Sequence, residues 1–292
     1  MMLSPKVKSD LILLLAAIIW GFAFVAQRVG MDFVGPFTFN GIRFAIGTLV
    51  LLPFLIFRRK RQWIHPDEKN SRKKLIIGMI ITGFIISLGI SLQQIGLQTT
   101  TAGKAGFITG LYVIFVPVAG IFFGHKTSFT VWSGVVLSAV GLYFLSITGL
   151  FHMAPGDFLV LLCAITFTGH VLMIAWLSPK MDSFFLAVVP FGICSLVNLI
   201  LAFSLETVIW KKILEAGIPI LYGGAFSVGI AYTLQVVAQK RAHPAYASII
   251  LSLESVFAAF AGWLLLNEHL SMRSMAGCGL MLGGMIIVQW KR

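Results

Sequence analysis

Charge is what this chain has least of. Only 11% of its 292 residues are Asp, Glu, Lys or Arg, where an ordinary soluble globule carries roughly a quarter, so a water-soluble enzyme or binding domain is excluded as the class. Catalytic signatures are missing as well. There is no HExxH, no GxSxG, no Gly-rich phosphate loop ending in Lys-Ser/Thr and no paired histidine–acid metal pattern, which argues against an enzyme and against a bound metal or other cofactor. The three cysteines, Cys163, Cys194 and Cys278, form no CxxC and sit inside apolar runs, where they read as small buried hydrophobes. Large polar segments are also lacking, against the expectation for a receptor or scaffold. No signal peptide is evident either: the first apolar run starts at Leu11 and continues to Arg28 without a small-x-small cleavage site, so it reads as a first membrane span.

What is present is grease. Hydrophobic residues make up 58% of the chain, with 25 Phe and 29 Gly, and the mean hydropathy is +0.96. About 20 apolar residues at 1.5 Å per residue cross a hydrocarbon layer of roughly 30 Å. Ten runs of that kind are expected as helices, at about 11–29, 36–57, 75–97, 101–123, 129–147, 156–176, 183–204, 217–238, 245–266 and 272–290. The fold class is therefore an all-α multispanning membrane protein, and the lipid bilayer is its obligatory partner. The net charge of +12 sits in short segments between runs rather than on one face, so topology explains it and nucleic acid does not.

The bases set the orientation. With the N-terminus cytoplasmic, inside segments hold Lys6, Lys8, the eight bases of 58–74, Lys126, Lys180, Lys240, Arg241, Lys291 and Arg292. Outside segments hold only Arg28, Lys211, Lys212 and Arg273. That asymmetry predicts both termini inside. Residues 101–144 laid over 244–287 without gaps match at Ala102/Ala245, Val113/Val256, Ser128/Ser271, Gly134/Gly277, Leu137/Leu280 and Gly141/Gly284, and both stretches place a short polar break before a run with glycines seven apart. Two five-span halves, 1–149 and 150–292, are expected, and an odd span count makes them inverted repeats.

Polar residues within spans are the candidates for a substrate cavity or coupling site: Trp20, Asn40, Arg43, Gln93, Gln94, Lys104, His170, Asn198, Gln235 and Glu254. Arg43 lies about 10 Å into the second span, too deep to snorkel fully. It reads either as an anchor for a substrate carboxylate or as half of a structural pair. Glu254 lies about 14 Å into the ninth span, near the same depth. It contacts substrate or exchanges a proton, forms a static pair with Arg43, or sits at a shifted span boundary or in a water defect. Lys104 snorkels to the surface or faces the cavity; Trp20 stacks on substrate, gates or packs. Gln93, Gln94, Asn198, Gln235 and His170 read first as interhelical hydrogen-bond glue. Glu206 and Glu268 belong to span ends, and Glu268 is placed to accept from a neighbouring helix N-terminus. Gly106/Gly110, Gly120/Gly124 and Gly279/Gly283 suit close helix packing, the last pair also a homodimer contact; monomer and homodimer both stay open.

The segments IIWGFAFVAQRVG (18–30), GPFTFNGIRF (35–44), LQTTTAGKAGFI (97–108), HPAYASIILSLESVFAAFAGWLLLNEHLS (243–271) and GCGLMLGGMII (277–287) resemble the EamA-type branch of the ten-span drug/metabolite transporter superfamily. The likeness is strongest at Trp20-Gly21, Arg43 and Glu268. Asn267 stands where the family usually has glycine before the acid, and His125 stands where the first half would carry the matching acid. The resemblance implies an alternating-access carrier in the inner membrane. Its spans one to four and six to nine would surround a central cavity, and it would export amino acids or related small metabolites, with proton coupling as an option. A carrier of cationic drugs, to which Glu254 is suited, and a channel are the alternative readings.

Overall fold

The computed structural model describes residues 4–57, 63–64, 71–125, 127–146 and 154–290. Among the bases that set the expected orientation, Arg58, Arg59, Lys60, Arg61, Lys69, Lys126, Lys291 and Arg292 lie outside them. The described chain is an all-helical bundle: α1 (Pro5–Gly30), α2 (Pro36–Phe57), α3 (Arg72–Gly96), α4 (Ala102–Gly110), α5 (Tyr112–Phe122), α6 (Phe129–Ser146), α7 (Pro155–Leu177), α8 (Ser183–Leu205), α9 (Trp210–Glu215), α10 (Gly217–Leu221), a π-helical segment (Tyr222–Tyr232), α11 (Thr233–Gln239), α12 (Pro244–Leu251), α13 (Glu254–Leu266) and α14 (Met272–Trp290). Eight helical stretches are long and apolar enough to cross a membrane, and the apolar parts of α6 and α14 are shorter. The outer surface is greasy throughout, with Phe57 88% and Ile218 83% exposed, as lipid contact requires.

Local chemistry explains the ends. Proline opens α1, α2, α7 and α12, where its missing N–H would have been unpaired. Asp182 caps α8 by accepting from the Phe184 and Phe185 amides. Two acids cap helices distant in sequence. Glu206, beyond the end of α8, accepts from the Phe37 and Thr38 amides of α2 at 2.8 and 2.9 Å. Glu268, beyond α13, accepts from the Ala102 and Gly103 amides of α4, both at 3.3 Å, as expected of it. Gly35 and Gly262 leave the room these carboxylates fill, since a Cβ on either would collide with the acid.

Three spans are less regular than uniform runs of hydrophobic residues suggest. The fourth tightens at Leu111, where Leu111 N–H bonds the Ile108 carbonyl and Ile114 N–H the Leu111 carbonyl. The ninth tightens at Ser252–Leu253, after Ser248 and Ser252 have turned their hydroxyls back on the Ala245 and Ile249 carbonyls. The eighth runs through the π segment, which carries Gly223, Gly224 and Gly229. Gly224 is fixed by proximity: a Cβ there would lie 2.9 Å from the Arg43 carbonyl oxygen of α2.

Helix-pair contacts are consistent with a two-repeat fold. Helices α6 and α14 run antiparallel and touch at the glycines of the sequence repeat. A Cβ on Gly141 would lie 2.6 Å from the Gly277 carbonyl oxygen, and one on Gly134 3.1 Å from that of Gly284. The expected packing role does not extend to Gly124, which has φ +76° and supplies a turn, or to Gly279, around which a Cβ would meet nothing within 4 Å.

Candidate functional site

One cavity lies between α1, α2, α3, α4–α5, α7, the π segment with α11, and α12–α13. Trp20, Arg43, Gln93, Gln235 and Glu254 line it, so half of the candidates converge on one place. Phe24, Gln27, Thr109, Tyr112, Phe167, Ser227 and Tyr232 complete its polar and aromatic wall. The repeat register contains a signal for Tyr112: it follows Leu111, the position matching Glu254.

Arg43 is 1% exposed and held on three sides. Its Nε donates to Asn40 Oδ1 at 3.0 Å, and its guanidinium carbon lies 5.4 Å from the ring centres of both Phe39 and Phe44. Nη2 is buried without a hydrogen-bond partner. Glu254 opens α13, where the helix dipole favours a carboxylate, and its Oε1 is likewise buried and unpartnered. The Tyr112 hydroxyl lies beside that carboxyl. Arg43 and Glu254 share the cavity without an ion pair to one another; ion pairs elsewhere include Arg28–Asp32 and Lys104–Asp157.

The other candidates hold the walls together. Asn40 Nδ2 donates to the Ile90 carbonyl, Gln93 to Thr109 Oγ1 and Gln94 to the Gln27 carbonyl. Asn198 accepts from Ser91 across α3 and α8 and donates to Cys194 O. His170 is buried with its ring edge on Phe167 and Tyr232, outside the cavity lining. Lys104 reaches Asp157 at 2.6 Å, at the end of the bundle away from the N-terminus, rather than the cavity. Trp20 donates from Nε1 to the Ser227 carbonyl of the π segment at 3.2 Å and packs on Tyr232 at 4.6 Å, tying α1 to that segment.

The space available to water centres in the cavity is about 30 Å³. One water needs about 10–15 Å³ on that measure, so the site has room for about two. An organic solute is larger than that space.

An all-helical membrane bundle around a small polar chamber, with Arg and Glu inside it, defines a multi-pass transporter of small molecules. The chain belongs to the EamA-like transporter family, whose model matches it twice, at residues 7–147 and 154–290. It is 33% identical over 295 residues to an uncharacterized transporter of Archaeoglobus fulgidus, covering 97% of this chain and 86% of the relative. Similarity to the uncharacterized transporter YoaV of Bacillus subtilis is 25% over 291 residues, 96% of each chain. The uncharacterized inner membrane transporter YedA of Escherichia coli is 24% identical over 151 residues, 51% of this chain and 47% of its own. A solved crystal structure shares the fold with a TM-score of 0.77 at 17% identity, over 97% of both chains. The family places the chain among secondary transporters rather than enzymes.

Proposed function

We propose that the chain exports amino acids or related small metabolites across the inner membrane by alternating access. It does so as ten spans in two inverted repeats, 1–149 and 150–292, with both termini cytoplasmic. The observation that carries the substrate class is the pair of buried, unpartnered atoms in one chamber, Arg43 Nη2 and Glu254 Oε1. A guanidinium suits a carboxylate and a carboxyl suits an amine, so a zwitterion satisfies both where neither satisfies the other. The antiparallel glycine contact of α6 with α14 supports the inverted relation, because equivalent positions meet crosswise. The name of the Escherichia coli relative supports the inner membrane.

In this reading Arg43 anchors the carboxylate, and Gln93 and Gln235 orient the solute against Trp20 and Tyr232. Glu254 takes the amine or, with the chamber empty, a proton; that exchange couples transport to the proton gradient. Rings from Trp20, Tyr112, Phe167 and Tyr232 around a single acid also suit an organic cation, which is the second reading. A thermal-stability screen of purified protein against amino acids, purines and lipophilic cations separates the two, since bound ligand stabilises by mass action. Stabilisation by a zwitterion that Arg43→Gln abolishes is expected. Stabilisation by cations alone, insensitive to Arg43→Gln, rejects the amino-acid reading.

A further inference from the structure

We propose that His125 and His243 form a proton-operated latch at the end of the bundle that carries the N-terminus, the counterpart of the Glu268 tie at the other end. The two left-handed residues among the described ones are Gly124, φ 76°, and Asn267, φ 54°. They are equivalent in the sequence repeat, and each turns the next residue back on its own helix: His125 N–H bonds the Gly120 carbonyl at 2.9 Å and Glu268 N–H the Gly262 carbonyl at 3.1 Å. Asn tolerates this backbone better than most residues, which explains Asn267 in a place usually held by glycine. Glu268 then reaches the N-terminus of α4. His125, its equivalent, reaches the N-terminus of α12, with its ring 5.4 Å from that of His243 and at 65° to it.

The two ties differ in what holds them. The Glu268 carboxylate accepts from helix amides. The histidine tie is a ring contact plus a cap that needs an unprotonated Nδ1 on His243. His243 accepts the Ala245 N–H on Nδ1 at 3.3 Å, so a proton on Nδ1 removes the cap of α12. Two imidazolium rings facing one another at a helix N-terminus also repel each other and oppose its dipole. The first turn of α6, all of α5 and all of α12 offer no carboxylate to offset that. Other titratable and charged groups at this end include Tyr246 beside His243, Lys240 and Arg241 on the turn before it, Lys6, Lys8 and Asp10 on α1, Arg72, Lys73 and Lys74 at the start of α3, and Lys180 and Asp182 between α7 and α8. Closure therefore holds while the rings are unprotonated and is lost as they take up protons, whereas the Glu268 tie does not depend on a histidine.

The test is electron–electron distance measurement between nitroxides at Phe123→Cys and Arg241→Cys, both exposed positions, in lipid nanodiscs. Cys278→Ser is added, and the buried Cys163 and Cys194 are left in place. The long-distance population of the wild-type background should rise by at least about tenfold in ratio between pH 8 and pH 5.5. His125→Gln/His243→Asn should hold one distribution at both pH values, since Asn still caps but does not titrate. His125→Glu should reverse the sign, because acid then creates a carboxylate–imidazolium pair. An unchanged wild-type distribution, or a step that survives either substitution, overturns the proposal. If the double variant does not purify as a monodisperse species, His125→Glu alone decides. The measurement needs no substrate, so its failure is separable from failure of the carrier reading.

Discussion

Removing the Glu206 carboxylate should loosen α2 from α8 by an amount the structure allows one to estimate. That acid accepts from Phe37 N–H at 2.8 Å, Thr38 N–H at 2.9 Å and Thr38 Oγ1 at 2.6 Å. A cap is worth about 0.5–2 kcal/mol and a hydrogen bond to a charged acceptor about 1.5–3 kcal/mol net. The site is half-buried, so water replaces part of what is lost, and about 2–3 kcal/mol is expected for Glu206→Ala. Glu206→Gln keeps one acceptor oxygen but turns an NH₂ toward a donor, so it should recover little. Thr38→Val deletes only the hydroxyl bond and should cost about 1 kcal/mol. Each kcal/mol moves the melting temperature of a chain this size by about 2 °C or slightly more. Fluorescence-monitored unfolding at one fixed scan rate should therefore show a drop of roughly 5 °C for Glu206→Ala. A melting temperature within about 1 °C of wild type would refute the remote-cap reasoning.

Gly21→Ala should destabilise the bundle by about 1–3 kcal/mol in the same assay. Its Cβ would lie 2.8 Å from the Phe257 carbonyl carbon and 2.9 Å from the Ala258 nitrogen, which are backbone atoms of α13 that cannot step aside. Lys104→Met should cost more than Asp157→Asn. The first leaves the buried Asp157 carboxylate with the Ala154 N–H as its remaining hydrogen-bond partner, and the second removes the charge that needed Lys104; a reversed order of melting temperatures would count against the pairing. Glu254→Gln should leave folding intact and flatten the pH profile of uptake into proteoliposomes; an unchanged profile would exclude Glu254 as the proton carrier.

The helices were legible because long apolar runs fold as helices in a bundle of this kind, and eight helical stretches of the described chain are long and apolar enough to cross a membrane. The boundaries at Pro36, Phe57, Ser183, Met272 and Trp290 were legible as well, falling where composition changes. The tightened turns at Leu111 and Ser252 and the π segment were not, since hydropathy is the same for α, 3₁₀ and π backbones. Only the serines and the Gly223-Gly224 pair hinted at them. Depth counting brought Arg43 and Glu254 to one level, and both line the chamber. It could not separate Gln93, which faces the chamber, from Gln94, which ties α3 to α1, because adjacent residues on a helix differ by about 100° of rotation but only about 1.5 Å of depth. Lys104 was ambiguous for lack of a partner in sequence; Asp157 is 53 residues away.

An alternating carrier site in the chamber of Arg43 and Glu254 shows itself in counterflow, in which proteoliposomes loaded with an unlabelled amino-acid mixture are diluted into trace labelled solute. Transient, saturable accumulation of label that Arg43→Gln abolishes is the predicted result. Non-saturating flux that electrical recording resolves as conductance, unaffected by Arg43→Gln, would contradict it.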